Sequence, residues 1–203
     1  MSKVFQTLND VRQFIDNRVA EYGCSIQSSG WSSVESQHLR FDYLCRDFDL
    51  NGKSILDVGC GKGDLVTYLR NKNVNFSQYT GIDLAQEMIN LCNDKIKDQH
   101  TKFHQGTVFD TPIDGIDIAL LSGSLSYRYE SAVADAKATL EILFSASTIG
   151  VALNFLSKKV DYELDKNQHY DPSMVLEWAL NLSNNVTLYH DYPLYEFTLV
   201  VKK

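Results

Sequence analysis

Three glycines and an acidic residue lie together where the chain could hold a nucleotide-like ligand against its backbone. The run Ser54–Val58 is short and mostly apolar, which is typical of a buried parallel strand, and Asp57 stands near its end. Gly59, Gly61 and Gly63 follow at alternate positions. A turn without Cβ atoms lets a ligand approach the backbone closely. With the helical spacing that comes next, this pattern predicts the first half of a nucleotide-binding βαβ unit.

The charges around the turn favour a cationic ligand over a diphosphate. A dinucleotide-binding turn has the spacing G-x-G-x-x-G, whereas this chain has G-x-G-x-G and carries Asp64 where the third glycine would fall. A carboxylate at the mouth of the following helix repels a pyrophosphate, and Asp57 adds a second negative charge. We therefore expect the ligand to be positively charged.

A further acidic residue ends the next apolar run. Residues Tyr79–Leu84 are interpreted as a second strand, in which Asp83 lies 26 positions after Asp57. In nucleotide-binding α/β folds a carboxylate near this spacing accepts hydrogen bonds from the ribose hydroxyls. The two oxygens of an ionised carboxylate match a vicinal diol, so Asp83 is predicted to bind a ribose.

The pattern Asp57-x-Gly59-x-Gly61-x-Gly63 resembles motif I of the class I S-adenosylmethionine-dependent methyltransferases, whose cofactor carries a sulfonium and an ammonium group. Later segments resemble the same family in the same order, over roughly residues 53 to 157. The resemblance implies methyl transfer from S-adenosylmethionine. It also implies a set of cofactor-binding residues, namely Asp57, Gly59, Cys60, Gly61, Gly63, Asp83, Leu84, Met88, Thr107, Val108 and Ser122.

One position departs from the family pattern. The family usually has an acidic residue after the glycine of the adenine-recognition turn, where it accepts a hydrogen bond from the exocyclic amine. This chain has Thr107 after Gly106. The backbone of Val108 or the carboxylate of Asp110 could accept that hydrogen bond instead.

The elements that must position these residues predict an α/β fold with a doubly wound, mostly parallel sheet of seven strands. The last two β-rich runs, Val186–His190 and Glu196–Val201, are joined by a short connection and are expected to form an antiparallel hairpin. Asp171 followed by Pro172 predicts the start of a helix. In such a sheet the ligand lies outside the carboxyl ends of the strands.

Two helices are predicted before the first strand. Residues 4–21 have apolar residues stepping by three and four, and Ser32–Ser36 offers a cap for a second helix running to about Asp47. In related methyltransferases such helices close over the cofactor, so we expect one domain with a helical lid (1–50) and a core (51–203). Arg40, in the lid, could hold the methionine carboxylate in a bidentate pair or could be a surface arginine.

Methyl transfer makes few chemical demands on the protein. The sulfonium already carries a good leaving group, so alignment of the nucleophile supplies most of the catalysis, and a base is required only for a protonated nucleophile. Tyr127 and Arg128, after the fourth strand, and His190, in the hairpin turn, are the catalytic candidates. Arg128 would suit a carboxylated or phosphorylated substrate. Alternatively, the tyrosine simply packs and the arginine faces water.

The composition disfavours several classes of substrate and ligand. The 203 residues carry a net charge of −7 with few adjacent basic residues, which argues against nucleic acid as substrate. The four cysteines have no C-x-x-C spacing, so no metal site is expected, and no stretch is long enough for a membrane span. We expect a cytoplasmic enzyme that methylates an oxygen or nitrogen of a small polar molecule, with the oligomeric state open. Two alternatives remain: a non-catalytic cofactor-binding subunit, and an enzyme that uses S-adenosylmethionine for another reaction.

Overall fold

The computed structural model describes residues 5–203, and its centre is a mixed β-sheet. Seven strands follow the order β3-β2-β1-β4-β5-β8-β7, and a two-residue strand, β6, pairs with the end of β5. The pairs from β3 through β5 are parallel, whereas β8 runs antiparallel to both β5 and β7. The strands are β1 (Ser54–Val58), β2 (Gln78–Asp83), β3 (Thr101–Gln105), β4 (Ile116–Leu121), β5 (Ser147–Ser157), β6 (His169–Tyr170), β7 (Val186–Tyr189) and β8 (Glu196–Lys202).

This order confirms the predicted doubly wound sheet with an antiparallel C-terminal hairpin. The β6 strand was not predicted from the sequence. It arises because the loop before α6 runs beside the end of β5, where His169 pairs with Leu156 and Tyr170 with Ser157. A two-residue strand has no periodicity that a sequence pattern could reveal.

Six α-helices surround the sheet within residues 5–203. They are α1 (Leu8–Tyr22), α2 (Val34–Cys45), α3 (Asp64–Asn71), α4 (Gln86–Lys95), α5 (Ala132–Ala146) and α6 (Pro172–Leu180). Asp171 caps α6 through the Ser173 amide, with Pro172 in its first turn, as predicted. The helix predicted over 4–21 begins at residue 8, and residue 4 lies outside the described residues. None of these helices combines the length and apolar character needed to span a membrane.

Successive strand residues point into two separate apolar layers. Leu56, Ala119 and Leu121 pack with α5 and α6, whereas their neighbours Ile118 and Leu120 pack on the opposite face. This alternation is the period of a β-strand, and burial of both faces explains the continuous apolar runs in the sequence. The helices therefore fix the sheet rigidly, and its strand ends form a stable platform for a site.

The two N-terminal helices have different positions. In α2, Phe41 and Leu44 are only 3% and 0% exposed and belong to the apolar layer shared with α3 and α4. In α1, Val19 and Ile15 pack against Met88 of α4. Helix α1 thus covers the carboxyl end of the sheet near α4, while α2 is part of the core and reaches the site only through its first turns.

Candidate active site

A cavity of about 540 Å³ opens at the carboxyl ends of the parallel strands. Its walls come from the ends of β1, β2 and β4, from the turn after β3, and from α1. This volume is within the range of small-molecule and cofactor sites. Every residue predicted to bind the cofactor lines the cavity except Gly63.

Asp83 is hydrogen-bonded to the turns that follow β1, β2 and β3. Its carboxylate accepts hydrogen bonds from the Gly61 amide at 2.8 Å and from the Ala85 amide at 2.9 Å, one on each oxygen. Its backbone carbonyl accepts from the Gly106 amide at 2.9 Å. Burial raises the pKa of Asp83 to about 6, although the two amides favour the ionised form. Each carboxylate oxygen keeps capacity for one more donor.

A Cβ atom is excluded at the three glycines of the turn for different physical reasons. A Cβ on Gly59 would lie 2.4 Å from the Cβ of Ser124, and one on Gly63 would lie 2.7 Å from Cδ1 of Ile96. Those two positions are therefore fixed by packing. At Gly61 a Cβ would meet only the Ser29 hydroxyl at 3.6 Å, with φ at +53°. Gly61 is thus the glycine that leaves room for a ligand, whereas Gly63 is the N-cap residue of α3 and does not line the cavity.

Asp57 is a buried carboxylate in the cavity lining. It is 2% exposed and accepts a hydrogen bond from the Tyr79 hydroxyl. Burial raises the pKa of Asp57 to about 7; the Tyr79 bond opposes this rise, and the nearby charges of Asp83 and Asp64 add to it. A positive charge placed beside Asp57 would relieve this repulsion.

Asp64 begins α3, where the sequence predicts a negative charge that repels a pyrophosphate. The structure shows that this charge is paired with Lys62, which the sequence pattern did not indicate. Lys62 is only 7% exposed and also lies 3.4 Å from the Ser29 hydroxyl. The side-chain amide of Gln37 also donates to Asp64 at 3.1 Å. The negative potential of the cavity therefore comes mainly from Asp57 and Asp83.

Arg40 lines the cavity, but its guanidinium is bound to Glu196. Its Nε and Nη2 donate to the two Glu196 oxygens at 2.8 and 2.5 Å, and Nη1 donates to the Ser36 carbonyl at 2.7 Å. The face of the guanidinium lies 4.3 Å from the centre of the Trp31 ring. The structure thus places the arginine predicted to grip the methionine carboxylate in an ion pair between α2 and β8.

The turn after β3, predicted to recognise adenine, is held by hydrogen bonds between its own residues. The amide and hydroxyl of Thr107 both donate to Oδ1 of Asp110, at 2.6 and 2.9 Å, and these bonds keep the pKa of Asp110 below its usual value. Asp110 is outside the cavity lining, whereas Val108 and Phe109 are part of it. Of the two acceptors left open by the sequence, the geometry favours the backbone of Val108.

The loop after β4 is held by the side-chain amide of a residue on the neighbouring strand β5. Asn154 on β5 is 2% exposed, and its Oδ1 accepts from the Gly123 amide at 2.8 Å. Its Nδ2 lies 3.5 Å from the Ser122 hydroxyl. In the sequence, the signal for this role is that Asn154 interrupts an otherwise apolar run from Ile149 to Leu156.

Of the three predicted catalytic residues, only Tyr127 lines the cavity. Tyr127 packs edge-on against Phe5 and Phe14, with ring centres 5.8 and 6.1 Å away. Burial raises the pKa of Tyr127 to about 12. Arg128 pairs with Glu163 at 2.8 Å and does not line the cavity.

An extended backbone explains why neighbours point apart. Tyr127 forms an isolated antiparallel bridge with Asn167, and the Arg128 amide donates to the Lys166 carbonyl at 2.9 Å. Side chains alternate along such a segment, so an inward Tyr127 requires an outward Arg128. His190 is exposed with its ring beside Phe197, and it also lies outside the cavity lining. Neither Arg128 nor His190 has the position predicted for a catalytic residue.

A family model described as a methyltransferase domain matches residues 49–194. This chain belongs to that methyltransferase family. The match covers β1 to β7, the glycine turn and most of the cavity wall, and it ends just before β8. The chain is therefore a class I S-adenosylmethionine-dependent methyltransferase. The glycine motif and the hydrogen bond from the Gly61 amide to Asp83 agree with this assignment.

Individual relatives agree with this assignment. A candidate methyltransferase of Mycobacterium tuberculosis is 32% identical over 158 residues, 74% of this chain and 93% of the relative. A fatty-acid O-methyltransferase of Mycolicibacterium smegmatis is 38% identical over 82 residues, 40% of this chain and 30% of the relative. The magnesium protoporphyrin IX methyltransferase of Synechocystis PCC 6803, solved with bound S-adenosylhomocysteine, has the same fold at 15% identity, with a TM-score of 0.72 over 97% of this chain and 100% of that one.

Proposed function

We propose that this methyltransferase transfers the methyl group of S-adenosylmethionine to an oxygen or nitrogen atom of a small-molecule acceptor bound in the same cavity. The observation that carries the proposal is the pair of buried carboxylates, Asp57 and Asp83, that line one cavity with the open glycine Gly61. The cofactor offers a cationic part for the first and a ribose diol for the second.

The residues present fit the cofactor. Asp83 has one free acceptor position on each oxygen for the ribose hydroxyls, and the absence of a Cβ at Gly61 lets the ligand reach the turn. The buried Asp57 gains from a neighbouring cation because its pKa is raised to about 7. The backbone of Val108, with Leu84 and Met88 nearby in the lining, would receive the adenine.

The chain's own contribution to catalysis is alignment. The bound cofactor supplies the methyl group on a sulfonium that is already a good leaving group. Tyr127 also lines the cavity, where it would orient the acceptor. Tyr127, with its pKa near 12, stays protonated at neutral pH, so its hydroxyl can donate a hydrogen bond to the acceptor but cannot act as a general base. Holding two reactants in line is sufficient for a large rate enhancement.

Three observations support a small acceptor. The cavity is enclosed by α1 on one side and holds about 540 Å³, and the chain has a net charge of −7, which disfavours a nucleic-acid surface. A relative with 38% identity over 82 residues is named for a fatty-acid acceptor.

Mass analysis of the products tests the proposal. The purified protein is incubated with S-adenosylmethionine and a metabolite extract, and the products are compared with those of the Asp83→Ala variant. We expect S-adenosylhomocysteine to form together with an acceptor heavier by one CH₂ unit, and neither to form with the variant. Cofactor breakdown without a methylated acceptor would contradict methyl transfer, and binding without turnover would favour a non-catalytic subunit.

A further inference from the structure

The acceptor side of the cavity has a wall of three rings and two cations, here called the Phe14 wall: Phe5, Phe14, Tyr127, Arg18 and Lys166. Phe14 lies 5.3 Å from Phe5 and 6.1 Å from Tyr127, measured between ring centres. The guanidinium carbon of Arg18 and the Nζ of Lys166 each lie 5.7 Å from the centre of the Phe14 ring. Phe14, Arg18, Tyr127 and Lys166 all line the cavity. Helix α1 and the loop before β6 therefore each bring one positive charge to the Phe14 ring, and the segment after β4 brings Tyr127.

The two cations of the wall have capacity for an anion. Arg18 donates from Nη2 to the Gln27 carbonyl, but its Nε is buried without a hydrogen-bond partner. Within residues 5–203, neither Arg18 nor Lys166 forms an ion pair with a carboxylate. By contrast, Arg40, Lys62 and Arg128 are each paired with an acidic side chain. A buried donor without a partner is costly, so an anionic ligand at this wall would be stabilised.

The cavity has an apolar opening next to this wall. Tyr162 and Leu164 line the cavity, yet they are 59% and 49% exposed. Tyr162 packs edge-on against Tyr195, which is 60% exposed, with ring centres 5.8 Å apart. Leu164 lies two residues before Lys166 in the same loop, so exposed apolar residues and a cation of the wall line the cavity from one short segment. Exposed apolar residues around a cavity mark a surface for an apolar ligand.

The cavity lining of residues 5–203 contains no histidine, and its acidic groups are already engaged. Asp135 accepts from the Ser131 hydroxyl at 2.8 Å, and Glu196 is bound to Arg40. Asp57 accepts from the Tyr79 hydroxyl, Asp83 accepts from the Gly61 and Ala85 amides, and Asp64 pairs with Lys62. An alcohol or ammonium acceptor requires a base to remove its proton, whereas a carboxylate is ionised at neutral pH and requires none.

We propose that the acceptor is an amphiphilic carboxylic acid, bound with its carboxylate at Arg18 and Lys166 and its apolar body toward Tyr162 and Leu164, and methylated on a carboxylate oxygen. This inference rests on the proposed function. One carboxylate oxygen attacks the methyl carbon, the carbon–sulfur bond breaks, and its electron pair returns to sulfur. A neutral methyl ester and neutral thioether leave, and no proton is transferred.

Binding of ten-carbon probes tests the charge requirement directly. Decanoate, decanamide and decylamine are titrated by calorimetry into the full-length protein saturated with S-adenosylhomocysteine. We expect decanoate to bind at least ~tenfold more tightly than the other two, because a lost charge-assisted hydrogen bond weakens binding by about ten- to a hundredfold. Equal affinity for decanoate and decanamide would overturn the proposal.

Substitutions locate the charge. Lys166→Met and Arg18→Met are each expected to weaken decanoate binding ~tenfold while leaving S-adenosylhomocysteine affinity unchanged. Arg128→Met is the matched control, because this arginine lies on the same segment as Tyr127 but faces away from the cavity. If Arg18→Met disturbs α1 and loses S-adenosylhomocysteine binding, Lys166→Met, on a loop, decides. Decanoate affinity unchanged in Lys166→Met would overturn the assignment.

The product distinguishes failure of this inference from failure of the proposed function. With S-adenosylmethionine and decanoate we expect an alkali-labile methyl ester. Methylation of decylamine or 1-decanol with decanoate left unchanged would overturn the carboxylate assignment while keeping the methyltransferase. If S-adenosylhomocysteine itself does not bind, the proposed function fails as well.

Discussion

At the scale of single residues, Asp57 connects protonation with cofactor binding. Its pKa is raised to about 7, mainly by burial, and the Tyr79 hydroxyl opposes the rise. Below pH 7 the carboxyl is neutral and gives little attraction to a cationic ligand. Affinity for S-adenosylmethionine is therefore expected to fall as the pH drops from 8 to 6, and Asp57→Asn is expected to flatten this dependence. Calorimetry at pH 6, 7 and 8 measures it; the same slope in the variant would contradict this role.

The ionised Asp57 carboxylate lowers the free energy of unfolding of the ligand-free protein. Its pKa is about 7 in the folded chain against 3.8 as the usual value, so the folded state binds the proton more tightly and loses stability as the pH rises from about 4 to 7. Asp57→Asn removes this cost and can still accept from Tyr79. We expect a melting temperature at pH 8 at least ~3 °C above that of the unsubstituted protein, with no gain at pH 4. An equal shift at both pH values would argue against the ionisation as its cause.

Residue types in a local motif were predictable, and residues with distant partners were not. Asp57, Gly61 and Asp83 follow from spacing because the turn and the strand ends are local structures. Arg40 is bound to Glu196, which lies 156 positions later, and no pattern near Arg40 indicates this partner. Arg128 was misplaced because one residue of alternation decides between the cavity and its outer side.

At the scale of elements, the Arg40–Glu196 pair joins α2 to β8. Its side chains are 10% and 6% exposed, and both Glu196 oxygens accept from the guanidinium. Removing one partner of a buried pair typically destabilises by about 3–5 kcal/mol, since the other charge stays buried. We expect Glu196→Gln to lose most of that amount in urea unfolding.

Cofactor affinity separates this structural role from binding. With Arg40→Met, S-adenosylhomocysteine affinity well below the melting temperature should change less than ~tenfold, since the guanidinium already has its acceptor. A larger loss of affinity without loss of stability would restore the sequence-based prediction that Arg40 holds the methionine carboxylate.

Gly123 is the point where the loop before α2 meets the end of β4. A Cβ here would lie 2.5 Å from the Trp31 ring, at a φ of +77°. Gly115 has a similar φ of +66°, but nothing lies within 4 Å of its added Cβ, so Gly115→Ala measures the backbone cost alone. We expect Gly115→Ala to lose ~1–2 kcal/mol and Gly123→Ala at least ~1 kcal/mol more, by urea unfolding. Equal losses would mean that Trp31 moves aside freely.

Element type and order were predictable because each signal was local. Periodic apolar spacing indicated the helices, and the short connection between the last strands indicated the hairpin. The different positions of α1 and α2 were not predictable from the stripe alone. The burial of Phe41 and Leu44 depends on which surface receives that stripe, and a helical pattern does not specify its partner.

At the scale of the whole molecule, one cavity combines two opposite electrostatic ends. Asp57 and Asp83 make the cofactor end acidic, and Arg18 and Lys166 make the Phe14 wall basic, within a chain of net charge −7. The acidic end was visible in the sequence because a single motif and one later strand form it. The Phe14 wall was not, since it exists only where α1, the segment after β4 and the loop before β6 come together.

The central claim is that S-adenosylmethionine binds this cavity through Asp83 and the glycine turn. Calorimetric titration of S-adenosylmethionine into the unsubstituted protein, Asp83→Ala and Asp98→Ala tests it in one experiment. Asp98 is the matched control, because it pairs with Arg70 on the surface, away from the cavity. We expect one cofactor per chain, a loss of ~1.5–3 kcal/mol of binding free energy in Asp83→Ala, and no change in Asp98→Ala. Unchanged affinity in Asp83→Ala, or no binding to the unsubstituted protein, would contradict the claim.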